Sequence, residues 1–590
     1  MAHLNSNRHR GMSGLAGATG LLILALSSAP SAAAPARPNV LVIVADDLGW
    51  SDVGAFGSEI NTPNIDKLAG RGLSMTQFYV APTCSPTRAM LLTGVDNHLT
   101  GVGTMADMQT PNQLSSVNYT GEMHEGVVTL AEVLKANGYA TMMSGKWHLG
   151  FERAHWPDKR GFDQSFALLN GGASHFSDAA PLSPSEKVVY VENGKQTALA
   201  QDFYSSISYT DKALAFMSER DMSKPFFAYL AYTAPHDPLQ VPDAWLDRYK
   251  GAYDAGPEAI RAKRAERLIA MGRMPPGAEM WMAPPFPEWL PVYKAPWAKR
   301  SATERALDAR PMELYAAMVE LLDQQIGRVI SYLEATGQLK NTFVIFMSDN
   351  GANAATPLFY PNATREWYLT HHDNSPANLG RAGSDVSLGG EWAAVANTPG
   401  KLYKGTPGEG GIRSPLIVAG PGIPAGTVTG ELAHVTDFTP TVLDLAGVSV
   451  DKSLLYNGKI RPEGHTLASL WRGSSIATSE PRRVEMELFG NMMARRGAWK
   501  AYNVARPLGT GDWELYKLDD DPGETRNLAQ IHPDILADLV SAYDAYAVAA
   551  KVIPPEPRPS VALNQLYLGD CNLWCSFKLS SADWLASWAQ

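Results

Sequence analysis

The stretch Asn39-Val-Leu-Val-Ile-Val-Ala45 runs directly into Asp46-Asp47-Leu48-Gly49. An unbroken β-branched apolar run, closed by polar residues, is the pattern of a strand buried on both faces, as in a parallel sheet. Phe226-Phe-Ala-Tyr-Leu-Ala-Tyr232 and Thr342-Phe-Val-Ile-Phe-Met347 read the same way. Helical patterns lie between them. Leu130 to Asn137 has Thr129 and Glu132 placed as a capping box and Gly138 as its stop, and Met312 to Ala335 is a long amphipathic run. Strands alternating with helices predict a layered α/β sheet.

All three runs end in polar residues. The first reaches Asp46-Asp47, the second Ala-Pro-His236, the third Asp349-Asn350-Gly351. Open α/β sheets bind ligands at the carboxyl ends of their strands, so these distant residues are expected to converge on one edge. The segment 240–310 differs, mixing charged helical sequence with the Pro- and Trp-rich Met280 to Trp289, and reads as an insertion or a surface excursion. After about residue 470 the pattern changes again. Val484 to Phe489, Gly497 to Val504 and Trp513 to Leu518 are short strand candidates, and Leu528 to Val552 reads as a helix. The expected organisation is a leader over 1–34, a main domain over 35–470, a small antiparallel sheet with one helix over 471–552, and a tail over 553–590. No internal repeat is evident.

A chain of 590 residues with 45% hydrophobic and 19% charged residues is long enough for a large α/β domain and a smaller one. At its start, Arg8 and Arg10 precede the apolar run Gly14 to Leu26 and the small residues around Ala34, the layout of a secretory leader. The alternative is an uncleaved anchor, for which the run is short. Export to the periplasm or medium is the expectation, without stable membrane insertion once the leader is removed. Losing Arg8 and Arg10, the leader's only charges, takes the formal charge from −10 to −12. Such an acidic chain argues against nucleic acid or an anionic membrane as partner. Three cysteines, Cys84, Cys571 and Cys575, are too few for a disulfide scaffold. Cys571 and Cys575 either pair or do nothing, and Cys84 has no evident structural partner.

Cys84 opens Cys84-Ser-Pro-Thr-Arg-Ala-Met-Leu-Leu-Thr-Gly94. Pro86 fits a first helical position and Gly94 a helix stop. Cys84 is then expected just before a helix N-terminus, where free backbone N–H groups favour an anion, with Arg88 one turn on. This segment resembles the signature of the sulfatase family, in which Cys-x-Pro-x-Arg is read by a formylglycine-generating enzyme. Asp46-Asp47-Leu-Gly and Asp349-Asn350-Gly351 are similar to the family's two metal segments. Gly145-Lys-Trp-His-Leu-Gly150 and Lys404, ahead of Glu-Gly-Gly, match two more. In extended chain Lys146 and His148 share a side, with Trp147 opposite. The resemblance covers most of 38–530, ends near Asp520-Asp-Pro-Gly-Glu-Thr-Arg-Asn-Leu, and looks closest to bacterial arylsulfatases.

The resemblance implies an alkaline-phosphatase-like fold: a large mixed, mostly parallel sheet flanked by helices, with a smaller C-terminal antiparallel sheet plus helix. It implies hydrolysis of a small-molecule or carbohydrate sulfate ester through the formylglycine hydrate of Cys84. Asp46, Asp47, Asp349, Asn350 and the oxidised Cys84 would hold one ion, and an all-oxygen set of this kind suits Ca²⁺. Arg88, Lys146, His148, His236 and Lys404 would complete the catalytic set. A phosphonate or phosphate ester hydrolase of the same superfamily is the alternative reaction. An exported carbohydrate-binding protein on an inactive frame is the alternative without catalysis. His98 and His175 resemble positions near the family's cleft, or only pack loops. Trp281 to Trp297 would contact an aromatic leaving group or simply pack. Asn118-Tyr-Thr and Asn362-Ala-Thr are glycosylation sequons, meaningful only on a eukaryotic secretory route.

Overall fold

The run that opens the chain's globular part is β1 (Asn39–Ala45), and every residue of it is buried. Its side chains alternate between two cores. Leu41, Ile43 and Ala45 join one, and Val40, Val42 and Val44 the other, as the two-residue period of a strand covered on both faces requires. The computed structural model describes residues 37–281, 295–355, 357, 360–450, 453–474, 481–506 and 508–556. The expected leader, Cys571 and Cys575, most of the tail and most of the Pro- and Trp-rich stretch lie outside the described residues.

The large sheet continues with β2 (Leu73–Tyr79), β3 (Ala140–Lys146), β4 (Gln164–Leu168), β5 (Tyr190–Glu192), β6 (Lys195–Gln196) and β7 (Phe226–Ala231). It is completed by β8 (Thr342–Ser348), β9 (Arg413–Ala419), β10 (Thr427–Thr429) and β11 (Ala433–His434). Their order is β10-β2-β9-β8-β1-β7-β3-β4-β5-β6, with β11 paired to β2. β4, β3, β7, β1 and β8 form a parallel block. β9 runs antiparallel to both β8 and β2. Two reversals cancel, so β2 points the same way as the block. The carboxyl ends of β1, β2, β3, β7 and β8 therefore share one edge, and so does the start of β9.

Helices cover both faces. Ser205–Glu219 and Ala302–Ala335 pack on one core, and Cys84–Thr93, Leu130–Ala136 and Phe438–Leu445 on the other. The Thr129/Glu132 capping box forms as expected. The helix expected from Met312 starts ten residues earlier and runs through Pro311. A capping box of Ser301 and Glu304 nucleates it, which offsets the backbone hydrogen bond that the proline cannot donate.

The second sheet is an antiparallel meander of β12 (Arg483–Leu488), β13 (Asn491–Arg496), β14 (Trp499–Asn503) and β15 (Trp513–Lys517). β13 was not foreseen, because its Asn-Met-Met-Ala-Arg-Arg carries no β-branched residue. The final helix spans Pro533–Ala549 rather than starting at Leu528, since Pro533 at its first turn fixes the start. That helix covers one face of the small sheet. The other face packs on Tyr79, Leu402 and Ile412 of the large domain.

His98 is a joint between the two sheets. Its Nδ1 lies 2.8 Å from Asp96 Oδ1 and its Nε2 2.9 Å from Glu487 Oε2. A ring facing two carboxylates donates from both nitrogens and is an imidazolium. Burial opposes that charge, but Asp96 and then Glu487 outweigh it and hold the pKa up at about 9. A pKa raised on folding stabilises the native state fully below the unfolded value near 6.5, and that gain is lost as pH rises through 9. Urea unfolding at pH 6 and pH 9.5 is expected to show a loss of up to about 3 kcal/mol that His98→Asn lacks. Equal pH dependence in the two proteins would refute the joint.

Candidate active site

Asp46 and Asp47 follow β1 at the shared edge. Consecutive side chains of a strand point to opposite faces, yet both carboxylates reach one point. Asp47 adopts φ 63°, a left-handed conformation that Asp tolerates better than most residues, and this breaks the alternation. Tyr315, from the long helix, donates to the Asp47 carbonyl at 3.1 Å and to Asp52 at 2.7 Å, so the turn is held from below.

Cys84 is the first residue of the helix Cys84–Thr93, with Thr83 as N-cap, rather than lying just before a helix led by Pro86. Proline is tolerated anywhere in a first turn, where backbone N–H groups have no intrahelical acceptor. Gly94 ends the helix at φ 71°, as expected. Cys84 is buried and free. Burial pushes its thiol pKa up, against the pull of Lys146 and Lys404, so the thiol stays protonated and is a weak nucleophile.

Arg88, wholly buried, places Nη2 2.7 Å from Asp349 Oδ2 and 3.8 Å from Asp46 Oδ2. It also donates from Nη1 to the Lys146 carbonyl at 3.0 Å. Lys146 ends β3 and sets Nζ 2.6 Å from Asp46 Oδ2. Lys404, just ahead of the turn into β9, sets Nζ 2.7 Å from Asp47 Oδ1. Burial works against the Lys404 ammonium, but Asp47 outweighs it and raises the pKa well above the usual value. Asp349 also accepts from the Asp47 backbone N–H at 3.3 Å. Burial, then Asp46, pushes its carboxyl pKa up.

His148 lines the cavity beside Cys84, and Trp147 turns into the core, as expected. The backbone is not extended there: His148 has φ 55°. Burial, then Lys146, Arg88 and Lys404, press its pKa well below the usual value, and its buried Nδ1 has no hydrogen-bond partner among the described residues. It is a neutral base facing the site. His236 places Nε2 3.5 Å from Asp47 Oδ2, and its Nδ1 donates to the Asp237 carbonyl at 2.6 Å. Burial and then Lys404 depress its pKa as well.

His175 lies behind His236. Its Nε2 contacts the His236 carbonyl at 3.0 Å and its Nδ1 the Ser205 hydroxyl at 2.6 Å. A carbonyl only accepts, so Nε2 carries the proton and Nδ1 accepts from Ser205. His175 therefore positions the His236 backbone, whereas His98 belongs to the joint between the sheets.

All ten expected residues meet at this edge, though not in one shell. Ligand atoms of Asp46, Asp47, Cys84 and His236 lie within 4.8 Å of one another. Asp349 reaches them through Arg88 and the Asp47 backbone, and Asn350 through its Nδ2, which donates to Asp47 Oδ1 at 2.6 Å. The donor set fits a hard divalent cation. Three carboxylates stand close to one another, and the buried Asp46 Oδ1 and Asn350 Oδ1 both lack a hydrogen-bond partner among the described residues. Such orphaned acceptors are costly unless a cation or donor takes them.

Several residues around the cavity carried no local signal in the sequence. Glu186, Asn353, Tyr360, Phe489 and Asn491 line it from three distant parts of the chain. Asn491, at the start of β13, donates to the Gly405 carbonyl at 3.2 Å and so ties the Lys404 turn to the small sheet. Only Phe489-Gly490, a two-residue hairpin turn, is recognisable in retrospect.

Residues 38–448 match the model of the family described as Sulfatase. An uncharacterized sulfatase of Schizosaccharomyces pombe is 41% identical over 88% of this chain and 94% of its own length. An arylsulfatase of Klebsiella aerogenes is 38% identical over 78% of this chain and 97% of its own. Among solved structures, Ps i-CgsB in complex with k-i-k-neocarrahexaose aligns at TM-score 0.60 and 25% identity, over 94% of this chain and 100% of that one. The family's fold accounts for the sheet order, and its chemistry for the crowd of acids and cations at one strand edge: the chain belongs to the sulfatase family and is a sulfuric ester hydrolase.

Proposed function

We propose that the chain is an exported, calcium-dependent arylsulfatase-like hydrolase whose Cys84 is converted to formylglycine by a maturation enzyme. The observation that carries this reading is the meeting of Asp46, Asp47, Cys84 and His236 within 4.8 Å, ringed by three cations. Asp46, Asp47, Asp349 and Asn350 would hold the ion. When present, Ca²⁺ supplies Lewis-acid polarisation, and the formylglycine supplies a hydrated aldehyde oxygen as nucleophile. Export rests on the leader-like sequence over 1–34; among the described residues no helix is long and apolar enough to cross a membrane. The division into a catalytic domain over 35–470 and a C-terminal subdomain over 471–552 belongs to the same reading.

The chain's own residues divide the remaining work. Arg88, Lys146 and Lys404 attract the sulfate oxygens and stabilise the charge that builds on them. His148, neutral and with an unpartnered Nδ1, accepts a proton from the nucleophile's second hydroxyl when sulfate is expelled. His236 Nε2 faces the centre, while its Nδ1 is fixed on a carbonyl. The incoming anion counters the cations that depress the His236 pKa, so the ring can hold a proton and pass it to the leaving oxygen. Lys404 steadies that proton transfer.

Sulfate release from 4-nitrophenyl sulfate is the test. EDTA is expected to abolish it, and Ca²⁺ to restore it. The matched phosphate and phosphonate esters are expected to turn over at least tenfold more slowly, about 1.4 kcal/mol in the barrier. Turnover indifferent to EDTA, or faster on phosphonate, would reject the proposal.

A further inference from the structure

Glu186 stands in the same cavity as Cys84, yet the chemistry above gives it no task. The cavity measures about 170 Å³. Met105, Leu169 and Leu182 are buried in its wall, Phe151 stands at the rim with 44% of its surface exposed, and Phe489 closes one side. Phe489 has φ 56° beside Gly490 at φ 79°, in the hairpin between β12 and β13. Two consecutive left-handed residues make a type I′ turn, in which Asn-Gly is usual and a bulky aromatic is strained. Strain of this kind persists where the side chain has a use, and this ring lines the cavity.

Into these apolar walls Glu186 brings a carboxyl. Its Oε2 is shielded from solvent and has no well-aligned hydrogen-bond partner among the described residues, although the Asn170 side chain lies close enough to favour the ionised carboxyl. Burial, then the neighbouring Asp107, lifts its pKa to about 7. An unmet buried acceptor costs about 1–3 kcal/mol and calls for a partner supplied from outside. The cavity is also divided in sign. Lys146, Lys404 and Arg88 crowd around Cys84 and His148, whereas Glu186, itself within reach of Lys146, and Asp107 bring the opposite charge to the same cavity. A hydroxyl-covered sugar would leave its hydroxyl groups unmet against Met105, Leu169 and Leu182.

We propose that Glu186 is a specificity-determining residue that accepts from an ammonium group on the alcohol portion of the substrate. The preferred substrates are then aryl or apolar sulfate esters bearing a cationic amine remote from the sulfate. The inference rests on the sulfate-ester reading of the site.

The test compares 4-(aminomethyl)phenyl sulfate with 4-methylphenyl sulfate, using matured full-length protein at pH 8, where the Glu186 carboxyl is ionised. Hydrolysis of 4-methylphenyl sulfate by the wild type reports the underlying reaction by itself. The kcat/KM ratio of the amine ester to the methyl ester reports Glu186. In the wild type this ratio is expected to be about tenfold or more, the worth of one shielded ammonium–carboxylate bond. Glu186→Gln should bring it close to one, and Glu186→Asp should keep part of it. A wild-type ratio near one, or the same ratio in wild type and Glu186→Gln, overturns the proposal, and the wild-type reading suffices should the variant fail to fold.

Discussion

Cys84→Ala is expected to lower kcat for sulfate esters by on the order of 10⁴ or more while the fold survives, because removal of a nucleophile leaves only binding and electrostatic assistance. The side chain is small and the substitution deletes one buried sulfur at the start of a helix that Thr83 and Gly94 already delimit. The thiol itself is not the nucleophile in this reading: burial holds it protonated, and it lacks the second hydroxyl from which His148 would take a proton. Mass spectrometry of the tryptic peptide holding residue 84 in the wild type should show a loss of about 18 Da, the difference between cysteine and formylglycine. A peptide of unmodified mass from fully active protein would end the formylglycine reading. Unchanged turnover in Cys84→Ala would end the assignment of the site.

Arg88→Met is expected to cost about 3–5 kcal/mol of stability in EDTA, besides abolishing activity, because it leaves a buried carboxylate uncompensated. Arg88 is the counter-charge of Asp349, with Nε at 2.9 Å and Nη2 at 2.7 Å from the same oxygen, and it also satisfies the Lys146 carbonyl. Methionine fills much of the volume and meets none of these acceptors. Arg88→Lys should recover only part of the loss, since one ammonium cannot span the three groups that the planar guanidinium reaches. With Ca²⁺ added, the penalty should shrink, because a bound cation neutralises the same carboxylates. Urea midpoints in EDTA and in Ca²⁺ read this directly. A variant as stable as the wild type in EDTA would show that Arg88 does not balance Asp349.

Much of this was legible along the chain because it is local. Strand β1 follows from six apolar residues in a row, and the Leu130–Ala136 helix from its capping box and glycine stop. The motif residues were legible for a related reason. Asp46-Asp47, Asp349-Asn350 and His236 all lie just after buried strands, and parallel strands bring their ends to one edge. What local pattern missed was just as systematic. β13 escaped because its residues have low strand propensity and gain their place from pairing with β12 and β14. The long helix, expected from Met312, begins instead at Ala302, because the capping box of Ser301 and Glu304 starts it ten residues ahead of Pro311.

The sequence by itself determined the class of sheet, the identity of the ten residues and the sign of charge that gathers around Cys84, because each depends on side-chain type and on strand ends. Only the tertiary structure decided how those residues meet: Asp47 and His148 in left-handed backbone, His175 behind His236, Lys404 carried on a turn that Asn491 pins. It also decided that Phe489 and Glu186, 303 residues apart, face one cavity. Those relations depend on which loops a folded chain brings side by side, a long-range outcome of packing that no window of adjacent residues contains.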